Sequence, residues 1–230
     1  MQLIQAKEIA HTLSNPSKMP GKAYSLPATE CHVGARLRGV PGSVCEGCYA
    51  MKGAYAWRPT KQAMAKRLAS IAHPQWVDAM VAQIKRQQWF RWHDSGDLQS
   101  VAHLAKIVAV AEQTPNTSHW LPTREKAIVK AYGRAGGTFP SNLVVRVSGA
   151  MVDGNAPKGF SNTSTVYESG DVIGKGCIAY RTKANGDVVS ESEFQALKKA
   201  KALKDADLGH CGDCRACWDA RVQNVSYHKH

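Results

Sequence analysis

The stretch WFRWHDSGDLQSVAHLAKIVAVAEQ, residues 89–113, changes its apolar pattern partway along. It begins with an aromatic run of the length of a short strand, and a Ser-Gly-Asp loop follows that run. Further on, Ala, Leu, Ile and Val recur at helical spacing, and Ser100 stands where it can cap the helix. The stretch therefore predicts a strand, a polar loop and a helix that ends before Thr114, with the aromatic residues in the core.

The same alternation of strand and helix continues on both sides of this stretch. The pattern predicts a helix at 77–87, a short strand at 118–125, a helix at 125–137 stopped by glycines, and a strand at 141–154. Strands that alternate with helices favour a parallel sheet with right-handed crossovers. The predicted fold class is α/β, as a small or incomplete (β/α) barrel-like parallel sheet.

Polar side chains follow each predicted strand. In parallel sheets, ligands bind at the carboxyl ends of the strands, so these side chains are expected to share one site. The predicted catalytic residues are His93, Asp94, Asp97 and Arg124, and the predicted cofactor-binding residues are Ser95, Gly96 and Ser148. The carboxylates suit acid–base chemistry or the binding of hydroxyl and ammonium groups, and the guanidinium suits a phosphate or carboxylate. A plainer alternative is that Asp97 only caps the following helix.

Length and composition predict one domain over residues 1–230. Within it we expect an N-terminal three-cysteine segment at 25–60, a βα core at 76–150 and a cysteine-rich C-terminal segment at 170–220. No low-complexity tract or internal repeat is present, and no GxGxxG, P-loop or nucleophile-elbow motif occurs. These features argue against disorder and against dinucleotide, nucleotide-hydrolase and serine-hydrolase functions.

The charge is strongly basic, with thirty Lys and Arg against eighteen Asp and Glu and a formal net charge of +12. This excess favours phosphate-bearing partners, namely a nucleic acid or a nucleotide substrate. The bland interpretation of a cluster such as Lys61, Lys66 and Arg67 is a solvated helix face. No run of residues is long and apolar enough for a membrane span, and the first residues lack the apolar stretch of a signal peptide. The predicted location is cytoplasmic, without a membrane partner.

Seven cysteines form three groups along the chain: Cys31, Cys45 and Cys48, then Cys177 alone, then Cys211, Cys214 and Cys217. A reducing cytosol does not sustain a disulfide framework, so the spacing favours metal ligation. The C-terminal run resembles the three-thiolate runs that hold iron–sulfur clusters, with a distant fourth cysteine completing the set. Cys177 is the candidate for that ligand, although a lone cysteine is often only a small buried hydrophobe.

Zinc is the chemical rival to iron and sulfide at both cysteine groups. Four thiolates, or three thiolates with one imidazole, are ordinary zinc ligand sets. His32 lies next to the N-terminal group and His210 next to the C-terminal one, so either could complete such a set. Both metal chemistries therefore stay open from the residues alone.

The combined motifs resemble the phage gene product 88 family. The resemblance is carried by SLPA at 25–28, Cys31, CEGCYA at 45–50 followed by Gly53 and Tyr55, HDSGD at 93–97, PTR at 122–124 and CGDCRACW at 211–218. It extends over most of the chain, from about Ser25 to Trp218. The family implies a phage-encoded protein of the host cytoplasm.

A wider similarity is to radical S-adenosylmethionine enzymes and a related phage three-cysteine family. It implies that Cys31, Cys45 and Cys48 hold a catalytic [4Fe–4S] cluster that binds S-adenosylmethionine, and that Cys177, Cys211, Cys214 and Cys217 hold an auxiliary cluster. Those enzymes space their ligands C-x3-C-x2-C, whereas thirteen residues separate Cys31 from Cys45 here. A single cluster sharing ligands from both ends of the chain is the alternative.

Two function classes follow. The first is an iron–sulfur enzyme of radical-S-adenosylmethionine-like character that acts on a nucleotide, nucleic acid or small metabolite. The second is a non-catalytic, basic iron–sulfur or zinc protein that binds nucleic acid through its positive surface. We favour the enzyme, because polar residues at successive strand ends exceed what a folded binding protein requires. The oligomeric state is not predicted.

Overall fold

A computed structural model describes residues 1–203 and 205–229. The described residues form these α-helices: α1 Leu3–Ala10, α2 His32–Leu37, α3 Arg58–Ser70, α4 Trp76–Ile84, α5 Val101–Glu112, α6 Lys126–Arg134 and α7 Glu191–Lys199. They form these β-strands: β1 Lys22–Tyr24, β2 Trp89–Trp92, β3 Ser118–Thr123, β4 Leu143–Val152, β5 Thr163–Tyr167, β6 Lys175–Gly176 and β7 Asn224–His228. Short 3-10 turns occupy Tyr49–Met51, Gly53–Ala56 and Ala216–Trp218.

The strands form one sheet in the order β1-β2-β3-β4-β5-β7-β6, and every pairing among them is parallel. The predicted parallel α/β fold is therefore confirmed. The first five strands follow one another in chain order, as in a (β/α) barrel, but the edge strands β1 and β6 are not paired with each other. The sheet is thus open, and β7 brings the C-terminal segment back beside β5.

The core lies between the sheet and the helices α1, α4 and α5. Phe90 and Trp92 of β2 are fully buried there and pack edge-to-face, with ring centroids 4.9 Å apart. Trp76 from α4 packs against Trp92 at 6.1 Å. The expectation that the aromatic residues of β2 belong to the core is confirmed for these two, whereas Trp89 is half-buried and packs against Trp218 at 5.6 Å.

The predicted helix boundaries agree with local chemistry. The Ser100 hydroxyl accepts a hydrogen bond from the His103 backbone N–H at 3.0 Å, so Ser100 caps α5 as expected. Helix α6 ends at Arg134, and Gly136 takes a φ of 82°, which glycine adopts without strain. Within residues 1–203 and 205–229, no helix has the length and apolar character that crossing a membrane requires.

Candidate active-site cleft

A cleft opens at the carboxyl ends of the central strands, where the N-terminal cysteine segment covers them. Its space is about 630 Å³, counting the part open to solvent at its mouth. Its lining includes ten predicted site residues: Cys31, Cys45, Cys48, His93, Asp94, Ser95, Gly96, Asp97, Arg124 and Ser148. Residues predicted from four separate stretches of the sequence therefore meet in one place.

Asp94 is held by the N-terminal segment. Its carboxylate accepts hydrogen bonds from the Ser25 hydroxyl at 2.7 Å and the Tyr55 hydroxyl at 2.9 Å, and its backbone carbonyl accepts one from the Tyr49 hydroxyl. Burial and the Asp94 charge raise the pKa of Tyr55, so this phenol keeps its proton and acts as a donor. The carboxylate is thus fixed in orientation without an ion pair among the described residues.

Asp97 connects two strand ends. Its carboxylate accepts hydrogen bonds from the Thr123 hydroxyl at 2.6 Å, the Arg124 backbone N–H at 2.8 Å and the Leu98 backbone N–H at 2.7 Å. Burial raises the pKa of Asp97 to about 6, although these three donors act in the opposite direction. The alternative that Asp97 caps α5 is wrong, because Ser100 performs that role.

His93 supplies an imidazole to the lining of the cleft. Its φ of 55° lies in the left-handed region, and its side chain is buried. Neither ring nitrogen has a hydrogen-bond partner among the described residues. Burial, then the neighbouring His103 and Arg91, lower the pKa of His93 well below its usual value, so the ring is neutral. A strained, unpartnered imidazole beside a cleft is typical of functional sites.

The N-terminal cysteines are fixed from the sheet side by Glu125. Its buried carboxylate accepts a hydrogen bond from the Val33 backbone N–H at 2.8 Å, in the first turn of α2. Cys31 immediately precedes that helix, and burial followed by the Asp97 charge raises the pKa of its thiol to about 12. Burial also raises the pKa of Cys45, against the effect of Arg124.

Gly34 explains how two of these thiols approach each other. A Cβ atom at Gly34 would lie 3.0 Å from the Cys31 Cβ, 3.6 Å from the Cys45 Sγ and 3.7 Å from the Cys31 Sγ. The side chains of Cys31 and Cys45 therefore flank the same glycine, although thirteen residues separate them in sequence. The third cysteine, Cys48, follows through a turn in which its N–H bonds the Cys45 carbonyl at 3.3 Å.

The four remaining cysteines form a second group. Burial raises the pKa of Cys217 to about 12, Cys177 and Cys211 raise it further, and the Tyr227 hydrogen bond acts in the opposite direction. Burial also raises the pKa of Cys211 to about 11, and Cys177 and Cys214 act on it electrostatically. Cys177 is attached to β7 by its backbone N–H, which bonds the Ser226 carbonyl at 2.7 Å. The distant Cys177 and the C-terminal run are thus close together in space.

Arg146 anchors the loop that carries Cys217. Its buried guanidinium donates to the backbone carbonyls of Ala216, Cys217, Asp219 and Val222 at 2.7–3.0 Å. Arg146 lies in β4, but its side chain serves the second cysteine group and is not part of the cleft lining.

The two histidines considered as zinc ligands, His32 and His210, have different surroundings. The His210 ring is 3.0 Å from a carboxylate oxygen of Asp207, and the His32 side chain is exposed. Across the described part of the chain, no three His, Cys, Asp or Glu side chains stand where they could jointly hold one metal ion. The metal, cofactor and catalytic roles therefore stay predictions.

Residues of the motifs that contain Ala28, Cys31, Cys45, Asp94 and Arg124 line this cleft, and the C-terminal motif holds three cysteines of the second group. A comparison with protein families agrees with the resemblance that these motifs carried. The family model described as Gene product 88 matches residues 2–220. The chain belongs to the gene product 88 family. A search of curated proteins and a search of solved structures each found no match.

Several residues of the gene product 88 motifs have contacts that sequence reasoning did not assign. Ser25, Tyr49 and Tyr55 all belong to the motifs that carried the resemblance, and all three bond Asp94. Their occurrence in the motifs indicated that these residues matter, but only the folded structure shows that they bond Asp94. No sequence signal pointed to the tie between Glu125 and α2.

Proposed function

We propose that this protein is an iron–sulfur enzyme of radical-S-adenosylmethionine-like character that acts on a nucleotide, nucleic acid or small metabolite. One observation carries the proposal: three cysteines share a cleft with two carboxylates, three arginines and a neutral imidazole. Structural metal sites are enclosed by their protein ligands, whereas reactive sites keep an open position beside polar groups. The arrangement around Cys31, Cys45 and Cys48 is of the second kind.

The donor set fits a [4Fe–4S] cluster. Three thiolates suit iron and sulfide, and the missing side chain of Gly34 leaves room between Cys31 and Cys45. Binding would draw the thiols toward a common centre, since they are not placed to hold a single ion. Such a cluster, held by three protein ligands, would leave one iron open to a cofactor such as S-adenosylmethionine and would supply it with one electron.

The other lining residues would bind and orient the reacting molecule. Asp94 is held rigidly by two hydroxyl donors and can accept from a hydroxyl or ammonium group of a ligand. His93 can accept a hydrogen bond at one ring nitrogen and donate from the other. Arg124 presents a guanidinium whose Nε lacks a partner among the described residues, which suits a phosphate or carboxylate.

In this proposal, Cys177, Cys211, Cys214 and Cys217 hold an auxiliary cluster. Four thiols complete the ligand set without an open position, and Arg146 fixes the loop that carries one of them. The second group would therefore stabilise the fold or store an electron and would not bind substrate.

Anaerobic purification followed by iron, sulfide and zinc analysis tests the metal content. We expect about eight irons and eight sulfides for the two clusters, with a broad visible band that bleaches on reduction. Stoichiometric zinc without colour, from cells supplied with iron, would contradict the proposal and leave the non-catalytic zinc protein as the function class.

Reductive cleavage of S-adenosylmethionine tests the chemistry. With dithionite as the electron donor, we expect 5′-deoxyadenosine and methionine in equal amounts from the wild-type protein. Cys48→Ala should abolish this product while the fold is largely retained, whereas Cys214→Ala should lower the free energy of unfolding at least as much as it lowers activity. The reverse ranking would overturn the assignment of the two groups.

The alternative function is a non-catalytic, basic iron–sulfur or zinc protein that binds nucleic acid. One observation favours it: a segment next to the cleft carries many exposed cations. Full retention of nucleic-acid affinity in Asp94→Asn, together with no cleavage of S-adenosylmethionine by a protein that holds its iron, would decide for this alternative.

A further inference from the structure

We propose that the segment from Cys31 to Arg67 is a docking surface for single-stranded nucleic acid, which it guides to the cleft. This inference deepens the proposed function, because it names the substrate class. Delivery to a reaction site in the cleft rests on the proposed function, whereas the docking itself does not. The docking itself depends on charge, exposure and one aromatic side chain of this segment.

The segment holds half of the net charge of the protein. Residues 31–67 contain seven Lys and Arg and one acidic residue, Glu46, which is a net charge of +6 out of +12 for the whole chain. Five of the cations are exposed: Arg36, Lys52, Arg58, Lys61 and Lys66. We call these five side chains the basic rim. None of them forms an ion pair among the described residues, so their charge is available to a partner.

One expected member of the basic rim is absent from it. Arg67, which the sequence placed on a solvated face with Lys61 and Lys66, is buried and donates to the Thr12 carbonyl at 2.8 Å. Its guanidinium is thus used in a contact within the fold, whereas Lys61 and Lys66 are exposed to solvent. The difference shows that exposure within this segment is specific to each side chain.

Trp57 supplies an aromatic surface within the basic rim. Its side chain is 66% exposed, whereas Trp76 and Trp92 are fully buried. It lies between Lys52 and Arg58 on the turn and helix that follow the cysteines. Exposed tryptophan flanked by cations is the arrangement that binds unstacked bases, because bases stack on the ring while phosphates contact the cations.

Two tyrosines connect the segment that carries Trp57 with the cleft. Tyr49 lines the cleft and is 52% exposed, and its ring packs against Tyr55 at 5.7 Å. Tyr55 in turn bonds Asp94 inside the cleft and lies two residues before Trp57. A nucleic acid with one base stacked on Trp57 would therefore lie beside the short segment that carries the Tyr49–Tyr55 pair at the mouth of the cleft. Single strands fit this surface better than duplexes, because stacking on tryptophan requires an unpaired base.

Fluorescence anisotropy with labelled 12-nucleotide single-stranded DNA and RNA tests the docking, using the full chain purified without oxygen. Trp57→Ala should weaken binding about five- to 150-fold, the loss of one stacked base. Trp57→Phe should retain most of the affinity. Trp57 is so exposed that its loss should leave the circular dichroism spectrum and the thermal midpoint unchanged.

The salt dependence tests the cations. Removing two phosphate contacts by Lys52→Ala with Lys61→Ala should reduce the slope of log affinity against log salt by about 1.4. The matched control, Lys198→Ala with Lys199→Ala, removes the same charge from exposed positions of α7 and should leave the slope near that of the wild type. Equal effects of the two double variants would overturn the proposal.

Heparin and a duplex of the same length separate stacking from charge alone. Trp57→Ala should leave heparin affinity unchanged, and the wild type should prefer the single strand to the duplex. If Trp57→Ala binds the single strand as well as the wild type does, the docking proposal fails, whatever the protein does with S-adenosylmethionine. If docking is confirmed and no cleavage occurs, the proposed enzyme function fails alone.

Discussion

The two cysteine groups lie against the same sheet but differ in what surrounds them. The N-terminal group faces a cleft together with Asp94, Asp97 and Arg124. The C-terminal group is not among the residues that line this cleft, and its loop is anchored by Trp218, which packs against Trp120 at 5.2 Å and whose indole N–H bonds the Phe90 carbonyl at 3.0 Å. The difference favours separate roles, because the N-terminal thiols share a cleft with groups that can bind a ligand, whereas the four C-terminal thiols are enough to complete a ligand set by themselves.

The two groups are also anchored differently. The N-terminal cysteines depend on one carboxylate, Glu125, and on turns of the backbone. The C-terminal loop depends on a buried cation, Arg146, that satisfies several carbonyls at once. A substitution that removes the Arg146 anchor should therefore lower the free energy of unfolding more than one that removes the Glu125 anchor.

The largest expected effect is that of Arg146→Met. The substitution keeps an apolar stem but leaves four closely bonded carbonyls, those of Ala216, Cys217, Asp219 and Val222, without their donor. Each lost bond to a charged donor is worth about 1.5–3 kcal/mol, although such losses are not additive. We expect the free energy of unfolding, measured by urea titration, to fall by about 4 kcal/mol or more.

Arg221→Ala is the control for this substitution, because Arg221 lies on the same loop and its side chain is 91% exposed. Its effect on the free energy of unfolding should be within about 0.5 kcal/mol. A loss below about 1 kcal/mol for Arg146→Met would contradict the view that the C-terminal site is built around this cation.

The cleft carboxylates should separate in a second comparison. An Asn at position 97 must turn its amide N–H toward the backbone N–H of either Leu98 or Arg124, and neither can accept it. An Asn at 94 meets only the hydroxyls of Ser25 and Tyr55, which can reverse their direction. We expect Asp97→Asn to lower the free energy of unfolding by about 2 kcal/mol and Asp94→Asn by less than about 1 kcal/mol.

Asp94→Asn, which should lose less stability than Asp97→Asn, should lose more activity. Product formation by folded Asp94→Asn should fall by at least about tenfold, because Asp94 is the carboxylate with acceptor capacity left for a ligand. If Asp94→Asn is as active as the wild type and Asp97→Asn is inactive but stable, the roles of the two residues are exchanged.

The sequence predicted the central part of this molecule better than its edges. The strands β2, β3 and β4 and the helices between them show clear apolar periods, which local burial imposes. The strands β5 and β7 were not predicted, because their buried faces carry polar residues such as Thr163, Ser164 and Ser226, which bond each other or a neighbouring strand. Their burial depends on a pairing between segments far apart in the chain, which no local pattern reveals.

The candidate site likewise contains residues that the sequence predicted and residues whose role depends on distant contacts. Strand-end residues such as Asp94 and Arg124 were predictable, because their position follows from the topology of a parallel sheet. The roles of Asp97 as a connector, of Glu125 as an anchor and of Arg146 as a loop support were not predictable, since each depends on a distant backbone group. Polar residues near a strand end are thus recognisable from sequence, but which of them face a ligand is decided by tertiary contacts.

A third prediction concerns Tyr227, whose hydroxyl is 3.2 Å from the Cys217 Sγ. Hydrogen bonds to cluster sulfurs raise reduction potentials, because they stabilise the more negative reduced form. In Tyr227→Phe we expect the potential of the C-terminal cluster to fall, with a loss of about 1 kcal/mol in unfolding free energy. A redox titration followed by electron paramagnetic resonance measures the potential, and Tyr49→Phe, near the cleft, is the control that should leave it unchanged. An unchanged potential in Tyr227→Phe would remove Cys217 from the ligand set.

The smallest expected change in stability comes from Gly34→Ala, which tests the N-terminal side. Alanine is favoured over glycine within a helix by about 1 kcal/mol, and Gly34 lies in α2. Here the added methyl group would crowd the Cys31 Cβ at 3.0 Å and fill the space beside the Cys45 Sγ at 3.6 Å, so the two effects should nearly cancel in the free energy of unfolding. The thiols, however, lose the room in which they could turn toward one centre.

We therefore expect Gly34→Ala to fold as stably as the wild type, within about 1 kcal/mol, and to lose about half of its iron. Gly39→Ala is the matched control, because a Cβ at Gly39 meets no atom within 4 Å, and its iron content should equal that of the wild type. Loss of iron in both variants would indicate a general sensitivity of this loop. Full iron in Gly34→Ala would show that Cys31 and Cys45 do not ligate through the space beside Gly34, and the contrast between an N-terminal group at the cleft and a C-terminal group outside it would lose its chemical basis.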